Sequence, residues 1–336
     1  MEIPKEVQSI IKELENKEFE AYIVGGCVRD FLLARRSESE GGRKIKPRDW
    51  DIATNAKPEE IKKIFLKSYS DNKFGTVIVL TGSKDESLAE VEITPYRIDE
   101  KYSDKRHPDK VIWAQRIEQD LSRRDFTINA IAMGVGGENK KSETKIIDPF
   151  DGEKDLKNKI IRAVGSPQDR FSEDALRMMR AVRFATTLGF EIESETAKAI
   201  NNNSHLLKAI SKERIRDEFM KIIMSENADQ GVELLRELNL LKYIIPELEE
   251  GHGVSQNKHH VYEVYKHSLL SLRYAAKKNF NKYVRMATLL HDIGKPRVKK
   301  GEGQNSTFYN HEIVGAKMTC QILDCLKFSK KILKKS

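Results

Sequence analysis

From about residue 155 onward, the apolar residues of this chain recur at three- to four-residue spacing. Upstream of that point, helix-like and strand-like stretches alternate. Side chains spaced for a helix cannot keep one face of a strand buried, so this change of period calls for a mixed α+β head followed by an all-α remainder. Helical spacing covers 172–188, 194–201, 205–210, 212–224, 229–238 and 263–277. Ser172, with Glu173 and Asp174 behind it, is the expected start of the first of these, and Gly189 its expected end. In the head, residues 5–18 place Val7, Ile10, Ile11 and Leu14 on one helical stripe. Strands are expected at 21–24, 49–52, 76–80 and 89–96, and helices at 28–33 and around 58–67, the latter opened by Pro58. The polar stretches 36–47, 99–110 and 139–145 read as loops.

The chain has 336 residues, enough for two or three domains with sizeable cores. Its net charge of +8 favours a polyanionic partner, nucleic acid being the usual one. Three cysteines, Cys27, Cys320 and Cys325, form no Cys-x-x-Cys pair and argue against a disulfide framework. No apolar run approaches a membrane span, and the N-terminus lacks the apolar core of a signal peptide. A cytoplasmic protein without a membrane partner is expected.

Chemistry concentrates in three places. Asp49 and Asp51 flank Trp50; on an extended chain both carboxylates face one spot and can share Mg²⁺. Taken alone, such a pair is as readily a solvated loop. Gly25 and Gly26 form a turn that lets backbone N–H groups approach phosphate oxygens. Arg123 and Arg124, beside Asp125, suit a triphosphate and a ribose, with Asp125 and Asn129 expected on one helix face.

Five motifs fall in order: Gly25-Gly26-Cys27-Val28-Arg29-Asp30, Asp49-Trp50-Asp51-Ile52-Ala53-Thr54, Arg123-Arg124-Asp125-Phe126-Thr127-Ile128-Asn129-Ala130, Asp148-Pro149-Phe150-Asp151-Gly152 and Glu173-Asp174-Ala175-Leu176-Arg177. Together they closely resemble the class II tRNA nucleotidyltransferases, the CCA-adding enzymes, and the related bacterial poly(A) polymerases. The resemblance covers about residues 20–225. It implies a polymerase β-like nucleotidyltransferase head at 1–154, a helical neck and body at 155–250, and a further helical region at 251–336. It implies that Asp49 and Asp51 hold two Mg²⁺ ions and that Glu92 is a third catalytic carboxylate. Gly25, Gly26 and Arg29 would hold the triphosphate, and Arg123, Arg124, Asp125 and Asn129 phosphate and ribose. Residues 101–109 resemble the family's flexible loop. One departure is the stretch from Gly26 to Asp49, lengthened by a polar insert at 36–46.

Asp174 and Arg177, at i and i+3, can read a base edge. Cytosine and adenine show an amine donor beside a ring-nitrogen acceptor; uracil and guanine reverse that pattern and would leave both contacts mispaired. An ordinary surface ion pair is the plainer alternative. By resemblance Arg180 and Arg183, further along the helix, also reach the nucleotide, and Glu213 or Arg214 braces the reading helix. The implied substrates are the tRNA 3′ end, CTP and ATP.

His291 and Asp292, with His267 upstream and His311 downstream, resemble the HD phosphohydrolases and offer donors to a transition metal. The later Asp that such a site needs is missing; Asp324 is not expected to supply it. The region from 251 therefore reads as a partial HD-like domain. An ATP-only polymerase of the same family, an HD-type phosphohydrolase and an inert RNA-binding protein are the rival readings.

Overall fold

The computed structural model describes residues 3–39, 49–70, 75–100, 110–135, 144–258 and 261–329. Two compact units divide the chain, one within residues 1–166 and the other from Pro167 onward. Among the described residues no helix is long and apolar enough to cross a membrane.

The head opens with α1 (Lys5–Glu15), which buries Val7, Ile10, Ile11 and Leu14, the four residues of the apolar stripe. Burial of each such side chain is worth about 1.5–3 kcal/mol. β1 (Ala21–Val24) and α2 (Gly26–Ser39) follow. α2 continues to Ser39, so the expected loop at 36–47 begins later; residues 40–48 lie outside the described set. Next come β2 (Asp51–Thr54), α3 (Pro58–Ile64), β3 (Ser68–Ser70) and β4 (Val77–Leu80). The helix expected to reach 67 thus stops at Ile64. The rest of the head is α4 (Glu86–Ala89), β5 (Glu90–Pro95), β6 (Arg97–Glu100), β7 (Lys110–Trp113), α5 (Ile117–Ser122), β8 (Ala132–Met133), β9 (Ile146–Ile147), α6 (Gly152–Asn158) and β10 (Ile160–Ile161). The supposed loop at 99–110 carries strand at both ends, in the hairpin β6–β7; residues 101–109 are not among those described, nor are 136–143.

Seven strands form one sheet in the order β3-β4-β5-β2-β1-β8-β9. Among the described residues only β2 and β5 of this sheet run parallel; its other pairings are antiparallel. In register, Val24 of β1 stands opposite Asp51 of β2, and Asp51 opposite Glu92 of β5. Directly paired residues point to the same side of a sheet, so this register sets the two carboxylates side by side.

The second unit is helical: α7 (Pro167–Glu173), α8 (Leu176–Leu188), α9 (Ser194–Asn203), α10 (Lys212–Ile223), α11 (Ala228–Glu237), α12 (Pro246–Glu249), α13 (Val264–Lys277), α14 (Lys282–Leu290), α15 (Lys295–Val298) and α16 (His311–Cys325). The expected single helix over 172–188 is two helices. Asp174, not Ser172, starts the second: its Oδ1 accepts the Leu176 N–H at 3.0 Å, while Ser172 lies inside α7. Gly189 ends α8 in the left-handed conformation, and 204–209 is a 3-10 turn rather than an α-helix. Strand does not vanish after 155, since β10 and a short β11 (Glu191–Ile192) are present.

Arg285, 2 % exposed, is the largest fully buried side chain of the unit. Its guanidinium donates to the carbonyls of Ile223 (3.0 Å) and Ser225 (2.7 Å) at the end of α10, and its Nε to Phe280 O (2.9 Å) beyond α13. A cation at helix C-termini is favourably placed against the helix dipoles.

Candidate active site

The turn between β1 and α2 is built on Gly25, whose φ of +81° disfavours any residue with a Cβ. The room for one is tight as well. A Cβ there would stand 3.0 Å from Arg124 Nη1 and 3.4 Å from Asp51 Oδ2. The turn, the aspartate and the arginine therefore meet at one point. Arg29 Nη2 lies 3.6 Å from the corresponding position on Gly26. Cys27, next in the motif, is buried: its thiol donates to Val24 O at 3.1 Å, and burial, aided by the Asp51 charge, pushes it up to about 12.

Strand β2 begins at Asp51, so Asp49 precedes the strand rather than lying on it. Asp49 is exposed and Asp51 partly buried. On β5, Val91 and Ile93 are buried and Glu90 and Glu92 exposed, the period-two pattern that turns Glu92 to the side of Asp51. Burial pushes the Asp51 carboxyl up to about 6; the Glu92 and Asp49 charges push the same way, and Arg124 opposes them. Such an all-oxygen, mutually repelling donor set fits a divalent cation such as Mg²⁺. Asp49, Asp51 and Glu92 are less tightly drawn together than the histidine cluster of the second unit. Among the described residues only His267, His291 and Asp292 bring three ligand atoms within 4.8 Å of one another.

Asp125 and Asn129 do meet, though not on a helix. α5 ends at Ser122, and a 3-10 turn at Thr127–Asn129 carries Asn129 Nδ2 to 3.1 Å from Asp125 Oδ1. Asn129 Oδ1 in turn accepts from Arg29 Nη1 at 2.9 Å. The chain Arg29–Asn129–Asp125 ties α2 to the arginine motif. The arginines themselves are held by Asp120, which sequence reading missed although its i−3 and i−4 spacing was visible. Arg123 Nη2 donates to Asp120 Oδ1 at 2.7 Å and Arg124 Nη2 to Oδ2 at 3.2 Å. Burial works to raise Asp120, but the two guanidinium groups outweigh it and hold the carboxyl below its usual range. Arg123 also lies 3.5 Å from Asp99, so it is turned toward buried carboxylates, whereas Arg124 is the one at the Gly25 turn. Arg124 Nε is buried without a hydrogen-bond partner among the described residues.

In the helical unit, Asp174 and Arg177 are each fixed by another residue. Asp174 Oδ2 accepts from Arg214 Nη2 at 2.7 Å, and Arg177 Nη1 donates to Glu173 Oε2 at 2.7 Å. Arg214 thus braces Asp174 directly, while Glu213 is exposed. Arg183 stands over the Phe184 ring at 4.2 Å with Nε 3.0 Å from Glu218 Oε2; Arg180 approaches the same ring at 5.4 Å.

The histidines of the HD-like region gather around Asp292. His291 Nε2 lies 3.2 Å and His267 Nε2 3.4 Å from its Oδ2, and His311 Nε2 3.6 Å from its Oδ1. Gly294 makes this possible: a Cβ there would sit 2.3 Å from His311 O, so only glycine lets the loop lie on the first turn of α16. Sequence reading missed Lys295. Its buried ammonium donates to Asp292 Oδ2 and to Gln256 Oε1, both at 2.8 Å. Burial works to raise Asp292, but His291 and Lys295 outweigh it and hold the carboxyl well below its usual range. The His291 ring is shifted upward by its contact with Asp292. Asp324, exposed near the end of α16, is about 20 Å along the helix from His311 and does not join them.

Three family models match the chain in order: the poly A polymerase head domain at residues 21–162, the probable RNA and SrmB-binding site of polymerase A at 189–251, and the HD domain at 257–335. A CCA-adding enzyme of Lactobacillus delbrueckii subsp. bulgaricus is 48% identical over 231 residues, 68% of this chain and 53% of that protein. One of Enterococcus faecalis is 44% identical over 251 residues, 74% of this chain and 56% of that protein. The chain spans about half the length of the curated relatives it matches. The crystal structure of Bacillus stearothermophilus CCA-adding enzyme in complex with CTP is 32% identical, with a TM-score of 0.69 over 99% of this chain and 69% of that one. On this similarity, and on the carboxylate register and glycine turn of its head, the chain belongs to the family of CCA-adding enzymes and poly(A) polymerases.

Proposed function

We propose that the chain adds C and A nucleotides to the 3′ end of tRNA without a nucleic-acid template. The 3′-hydroxyl attacks the α-phosphate of CTP or ATP, a new phosphodiester forms, and pyrophosphate leaves. Two Mg²⁺ ions held by Asp49, Asp51 and Glu92 would lower the pKa of the hydroxyl and stabilise the leaving pyrophosphate. The backbone N–H groups at Gly25 and Gly26, with Arg124, bind the triphosphate. Arg29, Asn129 and Asp125, already linked, orient the ribose; Arg123 sets the neighbouring arginine through Asp120. Asp174 and Arg177 select cytosine and adenine by their amine and ring nitrogen, with Arg180 and Arg183 lending positive charge. The division of labour follows a catalytic head at 1–154, a selecting neck and body at 155–250 and an HD-like domain at 251–336, in a cytoplasmic protein.

The observation that carries this reading is the meeting of Asp51, Gly25 and Arg124 at one turn, a carboxylate and a cation beside a backbone open to phosphate. Its test is extension of tRNA lacking its 3′ end, with the product sequenced in the presence of all four nucleotides. C-C-A product is expected. An A-only tail would replace the reading with a poly(A) polymerase, and unchanged extension by Asp51→Ala would overturn the metal assignment. A second reading, metal-dependent phosphohydrolysis, is favoured by the convergence of His267, His291 and His311 on Asp292. Mn²⁺- or Ni²⁺-dependent opening of 2′,3′-cyclic nucleotides by water to the ribose monophosphate, lost in Asp292→Ala, is its test.

A further inference from the structure

Between Glu263 and Asp292 the chain contains no acidic residue, yet it carries six lysines and arginines. Two of the six are used internally: Arg273 pairs with Asp229 at 2.6 Å, and Arg285 is buried. Three of the other four, Lys277, Lys278 and Lys282, collect at the tip of the α13–α14 hairpin, where residues 277–284 are all exposed. Three aromatic rings stand there among the cations: Tyr274 is 60 %, Phe280 41 % and Tyr283 52 % exposed. Lys278 approaches the Tyr274 ring at 5.8 Å and Lys282 the Tyr283 ring at 5.4 Å. Single exposed aromatics are commonplace, but three clustered with lysines are not explained by surface composition alone.

The tip is also held rigid. Asn279 takes a left-handed turn at φ 52°. Asn281 caps α14 by accepting from the N–H groups of Tyr283 (3.0 Å) and Val284 (3.2 Å). Phe280 is fixed from both sides, its N–H donating to Ala275 O (3.0 Å) and its carbonyl accepting from Arg285 Nε (2.9 Å). The rings are thus carried, partly exposed, on a hydrogen-bonded backbone, which lowers the ordering cost of a partner stacking on them.

We infer that this tip is a second RNA contact, a platform on which unpaired bases stack on Tyr274, Phe280 and Tyr283 while Lys277, Lys278 and Lys282 meet the flanking phosphates. Interleaved aromatic faces and cations are the chemistry of single-stranded RNA recognition. The site lies outside the matched RNA-binding segment at 189–251. The inference rests on the reading of RNA as the substrate, but its test does not need turnover.

The full chain is titrated with tRNA lacking its 3′ end, without nucleotides, at several salt concentrations. The double variant Phe280→Ala/Tyr283→Ala is expected to raise Kd about tenfold or more. The triple variant Lys277→Gln/Lys278→Gln/Lys282→Gln is expected to lower the slope of log affinity against log salt by about two to three. In wild type, ultraviolet crosslinks from 4-thiouridine-substituted tRNA should map to the tip. Thermal melting confirms that the variants are folded, and turnover at saturating RNA should be unchanged. Unaltered Kd and salt slope in both variants would overturn the inference. So would loss of binding to phosphatidylglycerol vesicles with tRNA affinity intact, which would make the tip a membrane contact. If no nucleotide is incorporated but the tip variants weaken tRNA binding, the platform stands and the proposed reaction falls; the reverse result separates them the other way.

Discussion

Asp51 and Asp292 each stand at the centre of a cluster of chemistry-bearing side chains, and their surroundings are electrostatic opposites. Around Asp51 the neighbours add to the problem of burial: Glu92 and Asp49 are negative, and Arg124 is the opposing charge. Around Asp292 the neighbours solve it: Lys295 sits at 2.8 Å, and three imidazoles surround the carboxylate. One carboxylate is pushed up to about 6 and the other held far down, by the same physics acting on different partners. The first cluster carries an excess of negative charge; the second already contains a cation. Proximity of ligand atoms alone would rank them in reverse, because the tighter group is the histidine cluster.

The largest expected effect tests the first half of that contrast. Asp51→Ala should reduce CTP incorporation by about a thousandfold, measured in single-turnover extension. If incorporation survives, the carboxylate register is not a metal site. Lys295→Met should destabilise the helical unit by about 2–3 kcal/mol, because it strands a buried carboxylate with only imidazoles as partners. The same variant should bind Mn²⁺ about tenfold more tightly by calorimetry, since the competing ammonium is gone. A stable variant with unchanged Mn²⁺ affinity would show that Lys295 is not the resident cation. Arg214→Ala, which frees Asp174, should lower discrimination of CTP from UTP about tenfold in competition assays. Smallest of all, Asp292→Ala should leave tRNA extension unchanged; a marked loss would mean that the two clusters serve one reaction.

Local chemistry was legible in the sequence to the degree that it was local. The stripe Val7, Ile10, Ile11, Leu14 is the buried face of α1, because a helical period decides which side chains meet the core. Asp125 and Asn129 do bond, yet through a 3-10 turn, since spacing of four brings residues together in more than one conformation. The start of α8 was misplaced by four residues because Ser172 and Asp174 are both good caps and only the fold chooses between them. What stayed out of reach was long-range: the parallel pairing that sets Asp51 beside Glu92, and the Gln256–Lys295–Asp292 chain. A motif read for metal ligands also hides the lysine that pairs with its carboxylate.

Arg285 has a consequence for how the molecule comes apart. Two family models meet between residues 251 and 257, and a sequence boundary invites the idea of two modules that melt separately. Yet one guanidinium from α14 satisfies carbonyls at the end of α10, across that boundary, in a site 2 % exposed. If either side frays, an orphaned cation and unpaired carbonyls remain in an apolar interior. Neither segment can open alone without that penalty, so the two are expected to melt in one cooperative transition. The evolutionary joint and the mechanical joint of this chain are in different places.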